Sequence, residues 1–225
     1  MQSLTTDVIS VTAEEFYNNV LRAFGGDFCR RLFVVFGGKM ITHIDFSILN
    51  FIQQCRSAAL DDIFTFITHL GDSGAIWILI SVVMLFLSGY RKTGVRTLIT
   101  MAVASIIFTL IMKELVGRER PFNNPMGLLS ADDLIIPVPF GRYSFPSGHT
   151  LTSFAASSCI FLTNKKIGAV CIVAAILISF SRIYLYVHFP SDIIFGAIFG
   201  ILSALAVKYF EDKLSARLRA GNTKE

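Results

Sequence analysis

The sequence predicts an all-α protein: a polytopic transmembrane helix bundle of five to six spans, preceded by an interfacial N-terminal helical region. Three observations predict it. Only 16% of the 225 residues are charged, against about 25% in an ordinary soluble domain, while 53% are hydrophobic and the mean hydropathy is +0.63. The missing charge is concentrated in blocks, so apolar runs of bilayer length alternate with short polar connections. The basic residues sit at the ends of those runs and cover no single face. A net charge of +4 therefore reads as topology information, with no nucleic-acid surface.

The elements follow in order. Residues 1–72 form the interfacial region. "RRLFVVFGGKMI" (30–41) is too short and interrupted to cross alone, and "ILNFIQQCRSAALDDIFTFITHLG" (48–71) is apolar at helical spacing but carries Arg56, Asp61 and Asp62. No continuous apolar core resembles a cleavable signal peptide, so an uncleaved span is expected to direct insertion. Residues 73–210 hold five apolar segments, at 75–90, 96–113, 150–164, 167–187 and 191–209. Residues 211–225 form a cytoplasmic tail. The basic stretches "RKTGVR" (91–96), "NKK" (164–166) and "KYFEDKLSARLR" (208–219) fall on one side if the spans alternate, and the positive-inside rule makes that side cytoplasmic. The loop 114–149 and the corner 188–190 then face outward from a cell membrane. Five spans place the N-terminus outside and six place it inside; both stay open. Cys159 and Cys171 lie in apolar runs as small hydrophobes, while Cys29 and Cys55 are open to pairing or to two free thiols.

Three polar clusters share the outward side. In "KELVGRERP" (113–121), Lys113 and Arg120 are two helical turns apart and share a face if the helix persists. Snorkelling to headgroups is the plainer reading of Lys113 and Arg118, but further cations on the outer side suggest a phosphate partner. In "SFPSGHTLTS" (144–153), Ser147 is a natural helix cap and Gly148 permits close approach, which makes an anion site of the helix start. An ordinary cap with a headgroup-facing His149 is an equal reading. In "SRIYLYVHFPSD" (181–192), Arg182 is an expensive charge near a span end, and Asp192 follows Pro190 closely enough to fold back onto His188. An aspartate on one ring nitrogen leaves the other free to attack. The alternative is an Arg182–Asp192 ion pair with His188 idle. Together the clusters contain the parts for phosphoryl transfer.

These stretches resemble, in order and internal spacing, the three signature motifs of the type 2 phosphatidic acid phosphatase (lipid phosphate phosphatase) superfamily, over roughly residues 45–210. The resemblance implies a metal-independent membrane phosphatase with no cofactor, acting on a lipid phosphate or diphosphate. It implies that His188 is phosphorylated, that Asp192 orients it, and that His149 protonates the leaving oxygen. Lys113, Arg120, Ser147, Gly148 and Arg182 would hold the phosphate. The stretch "LDDIFTFITHLG" resembles the interfacial helix that precedes the core in bacterial members.

Outside these positions, Arg118 and Arg142 are read as possible headgroup contacts and Asp132 and Asp133 as solvated loop carboxylates; His43 and His69 receive no role. Two rivals remain. A vanadate-dependent haloperoxidase shares such a site but is soluble, against five apolar spans. A headgroup transporter or scramblase needs cations, but neither a nucleophile nor an acid.

Overall fold

The computed structural model describes residues 39–139 and 141–222. The expectations for residues 30–38, for a span there and for a Cys29–Cys55 pair lie outside the described residues.

Seven main helices follow one another: α1 (Lys39–Gln54), α2 (Ala58–Leu70), α3 (Ala75–Phe86), α4 (Arg91–Val116), α5 (Gly148–Thr163), α6 (Lys165–Tyr184) and α7 (Pro190–Asn222). Three of them, α4, α6 and α7, are long and apolar enough to cross a bilayer, with mean hydropathies of 2.0, 2.1 and 2.0. Helices α2 and α3 qualify jointly as a fourth span, bent by 42° at their break. The chain is a multi-pass membrane protein. Leu79, Phe86, Leu110 and Val170 project outward, exposed, as lipid-facing side chains do.

Helix ends follow local chemistry. Ser57 caps α2, its Oγ accepting from Leu60 N at 3.4 Å. Asn164 caps α6 by accepting from the backbone of Lys166 and Ile167 at 3.0 and 3.1 Å. Helix α3 stops at Phe86, ahead of Ser88 and Gly89, short of the expected residue 90. Helix α7 runs through 208–222 as one element, because no breaker intervenes before Gly221 and Lys208 pairs with Asp212 one turn on.

Helix α5, at 16 residues, is the short central member, packed against α4, α6 and α7. Its buried residues are mostly small: Ser153, Ala155, Ala156, Ser157 and Cys159. Small residues let backbones approach where lipid offers no hydrophobic drive to association. Helix α7 answers in kind: a Cβ on Gly200 would stand 2.6 Å from Leu151 O, so only glycine fits that crossing. Trp77 donates to Ser153 Oγ at 2.8 Å and ties α3 to the same hub. Hydroxyls of Thr97, Thr100 and Ser179 bond carbonyls one turn back, which satisfies these three inside the bundle.

The two ends of the bundle differ. At one, Arg96 of α4 bonds Glu211 of α7 at 2.5 Å and Thr163 of α5 at 3.3 Å, and Asn164 donates to Tyr90 at 2.9 Å. At the other lie the C-terminal ends of α4 and α6, the starts of α5 and α7, and the loop 117–147. Phe122 and Ile136 of that loop pack with Phe46 and Leu49 of α1 and with residues 183–189. Asp132 and Asp133 sit in a short turn where Asp133 accepts from Ser130 N at 2.9 Å, a local cap.

Candidate active site

The second end encloses a cavity of about 590 Å³. Six of the motif residues line it: Lys113, Arg120, Gly148, His149, Arg182 and His188. They come from four different segments, so only the bundle assembles them. Ser147 and Asp192 do not line the cavity; both are fully buried behind it.

Lys113 arrives at the end of α4 after an unusual stretch. Residues Ser105–Met112 are π-helical, with i→i+5 hydrogen bonding. In an α-helix, residues four apart drift by roughly 40° per step. The wider turn reduces that drift, and Ser105, Thr109 and Lys113 all reach the cavity. The helix does not persist to Arg120, so the condition for a shared helix face is not met. It ends at Val116, and Gly117 takes a left-handed φ of 63° that no β-carbon tolerates easily. Arg120 lies instead in extended chain beside the Glu119–Tyr143 bridge, and swings back to the cavity. Its Nε and Nη1 donate to Gly141 O at 3.1 Å and Val187 O at 2.9 Å. Burial pushes its guanidinium down to about 10, with Asp192 pulling the other way, so Arg120 remains a cation at neutral pH.

Gly148 opens α5, and Ser147 precedes it at the cap position with φ −69°. The expected side-chain cap is absent. Ser147 Oγ accepts from Thr150 Oγ1 at 3.2 Å, because Asp192 O takes the Ser147 N–H at 3.3 Å and holds the residue inward. A Cβ on Gly148 would meet nothing nearer than Thr109 at 3.8 Å. The protein itself therefore leaves space above Gly148, next to a helix N-terminus suited to an anion.

Arg182 donates from Nη1 to Thr68 Oγ1 at 2.5 Å, while its Nε is buried without a partner. The Lys113 ammonium makes no side-chain hydrogen bond or ion pair with the described residues; its backbone carbonyl accepts from Gly117 N at 3.1 Å. These are donors awaiting an acceptor. The Arg182–Asp192 pair, one reading of the sequence, does not form. Asp192 binds Arg118 Nη1 at 2.7 Å and accepts from Phe189 N at 2.9 Å. Arg118 also bonds Asp45 at 2.6 Å and Ser191 Oγ at 2.7 Å. Arg118 is thus a buried clamp between α1 and the start of α7, and no headgroup contact. The signal that could have found it was an extra arginine inside a motif that already supplied its cations. Arg142 lies with its guanidinium 5.6 Å from the Tyr143 ring.

His188 sits in the corner between α6 and α7, 2% exposed, its Nδ1 3.4 Å from Asp192 Oδ2. That is a charge-coupled approach, short of hydrogen-bond geometry. Burial, then the charges of Arg120, Arg182 and Lys113, hold the His188 imidazole well below its ordinary pKa, so it is neutral at physiological pH. His149 Nε2 bonds Asp72 Oδ1 at 2.9 Å, and Asp72 Oδ2 bonds His69 Nδ1 at 2.8 Å. Sequence reasoning missed Asp72 and assigned His69 no surroundings, yet both line the cavity. Nothing local marks them, since the break between α2 and α3 delivers them from outside the motifs. No cluster of three or more metal-ligating side chains occurs among the described residues.

Helices that cross a bilayer, with a cationic and histidine-bearing cavity at one end of the bundle, define an integral membrane enzyme that handles phosphate at the membrane surface. Residues 94–216 match the PAP2 superfamily model, and the chain belongs to that family of membrane lipid phosphatases. It is 31% identical over 167 residues to an undecaprenyl-diphosphatase of Sulfolobus acidocaldarius, covering 73% of this chain and 77% of that one. It is 30% identical over 172 residues to phosphatidylglycerophosphatase B of Bacillus subtilis, with coverages of 71% and 79%. Its fold resembles the crystal structure of a transmembrane PAP2-type phosphatidylglycerolphosphate phosphatase from Bacillus subtilis. The TM-score is 0.64 at 24% identity, over 83% of this chain and 93% of that one.

Proposed function

We propose that this phosphatase removes phosphate from a lipid monophosphate or diphosphate of the phosphatidic acid, phosphatidylglycerol phosphate or undecaprenyl diphosphate class. It acts at the extracytoplasmic leaflet, through a phosphohistidine on His188. The observation that carries the reading is a buried, neutral histidine between a carboxylate and three cations, at 2% exposure in the wall of the cavity.

With Nδ1 turned to Asp192, Nε2 is the nitrogen that attacks phosphorus. The N–P bond forms as the P–O bond to the lipid breaks, and the electron pair stays on the leaving oxygen. His149 donates the proton that oxygen needs. Water then attacks phosphorus as the N–P bond breaks and its electron pair returns to His188 Nε2; His149 takes the water's proton, and inorganic phosphate leaves. Lys113, Arg120 and Arg182 neutralise the non-bridging oxygens, and the open side of Gly148 admits one of them to the α5 N-terminus. Asp192, held by Arg118, keeps His188 oriented and balances its charge after phosphorylation. The step needs no metal or cofactor. A headgroup transporter needs the cations but not the paired histidines, which favours hydrolysis.

The test is phosphoenzyme trapping with labelled lipid substrate in detergent, with EDTA present throughout. Wild-type protein should form an acid-labile phosphoenzyme and turn over; His188→Ala should do neither. A phosphohistidine that survives His188→Ala and disappears in His149→Ala would reverse the assignment. Turnover that stops on chelation would end the metal-independent reading.

A further inference from the structure

One carboxylate enters the cavity from outside the matched motifs. Asp72 opens the turn Asp72–Gly74 in the break between α2 and α3, and its side chain is half exposed at the cavity rim. A negative charge beside Lys113, Arg120 and Arg182 works against binding an anion, so its presence calls for a reason. Holding the break together is not that reason. Backbone bonds from Gly71 N to Thr68 O at 2.9 Å and from Gly74 N to Gly71 O at 3.0 Å already close the turn. The carboxylate instead spends both oxygens on histidines, Oδ1 on His149 Nε2 at 2.9 Å and Oδ2 on His69 Nδ1 at 2.8 Å.

We infer that Asp72 is the positioning residue of the leaving-group acid: it fixes the His149 ring through Nε2 and balances the imidazolium charge, so that Nδ1–H faces the leaving oxygen. The inference rests on the phosphatase reading above. Burial, then Arg182 from α6, push the His149 imidazole down to about 4, with Lys113 from α4 adding to the shift and Asp72 opposing it; a bound phosphate anion offsets the same two cations. Asp72 is the carboxylate bonded to His149 that offsets them. His69 engages its second oxygen at 2.8 Å. The site then holds two carboxylate–histidine pairs of different character. Asp192 is fully buried beside the nucleophile, and Asp72 is half exposed beside the acid. Through the cycle Asp72 stays ionised and forms no bond to substrate. The proton goes from His149 to the lipid oxygen as the P–O bond breaks, and returns to His149 from the attacking water.

The experiment compares Asp72→Asn, Asp72→Glu and wild type on a lipid phosphate, whose alkoxide leaves poorly, and on an aryl phosphate, whose leaving oxygen needs little protonation. General acid catalysis is worth about 10²–10⁴-fold, and a positioning partner should carry part of that. Asp72→Asn should lower kcat on the lipid by about 10-fold or more, and on the aryl phosphate by less than about 3-fold. Asp72→Glu should recover part of the loss, and vanadate inhibition should keep its affinity. In the His149→Ala background, Asp72→Asn should add no further loss, because the residue acts through that ring. Equal losses on both substrates, an added loss in His149→Ala, or a rise in activity would each overturn the inference. A wild-type protein inactive on both substrates would instead remove the phosphatase reading itself.

Discussion

His188 shows how a residue's setting decides its chemistry. Burial and three neighbouring cations hold it neutral, so the form that the proposed attack on phosphorus requires persists where an ordinary histidine, near 6.5, is already protonated. The acid limb of kcat/KM, corrected for substrate ionisation, should therefore fall below pH 6.5. A limb centred at 6.5 would show that the cations do not act on the proposed nucleophile. The same shift has a cost. As pH falls through 6.5, the unfolded chain takes a proton that folded His188 refuses, so this residue subtracts stability on the acid side. Arg118 makes the complementary case. It is 8% exposed and is shared by Asp45 and Asp192, two buried carboxylates. Arg118→Ala should lower the melting temperature in detergent, at a cost of about 3–5 kcal/mol, because the acids lose their common cation. A melting temperature equal to wild type would show that water reaches the pair.

At the scale of elements, the cavity depends on two departures from regular helix. The π-helical Ser105–Met112 brings Lys113 into register with Thr109, and the break after α2 brings Thr68, His69 and Asp72 to the same space. Between them, α5 must sit close to α7 for Ser147 and Asp192 to meet. That closeness rests on Gly196 and Gly200, where a Cβ would stand 3.0 Å from Ser147 O and 2.6 Å from Leu151 O. Phe108 and Phe199 stack at 4.4 Å beside this crossing and leave little slack. Gly200→Val should therefore push the helices apart, lowering stability by about 1–3 kcal/mol and activity with it. Thermal melting and turnover measured together check this, and an unchanged melting temperature would show that the crossing relaxes freely.

On the scale of the molecule, the polar ends separate into a cationic cavity at one pole and the Arg96–Glu211–Thr163 cluster at the other. The basic stretches 91–96, 164–166 and 208–219 all belong to the second pole. The positive-inside rule then predicts a cytoplasmic C-terminus and an extracytoplasmic cavity. Reporter fusions after Asp132 and Lys224 should report outside and inside respectively. A cytoplasmic signal at Asp132 would move the site to the inner leaflet.

The membrane class, three of the five expected spans (96–113, 167–187 and 191–209) and the three clusters were legible in the sequence because each is local. By contrast, 150–164 is not long and apolar enough to count as a candidate span, and 75–90 qualifies only jointly with the helix before it. Apolar length, charge at segment ends and fixed spacings within a dozen residues do not depend on how helices pack. The spacing of Lys113 and Arg120 allowed a shared helix face only if the helix persisted, but tertiary packing chose an extended chain after Gly117 and still delivered both side chains to one cavity. The partners of the ionisable groups were illegible for a related reason. Arg118 meets Asp45 across 73 residues, Arg182 meets Thr68 across 114, and His149 meets Asp72 across 77. Hydrogen bonds and charge pairing act over a few ångströms, so these choices wait until the bundle has brought distant segments together.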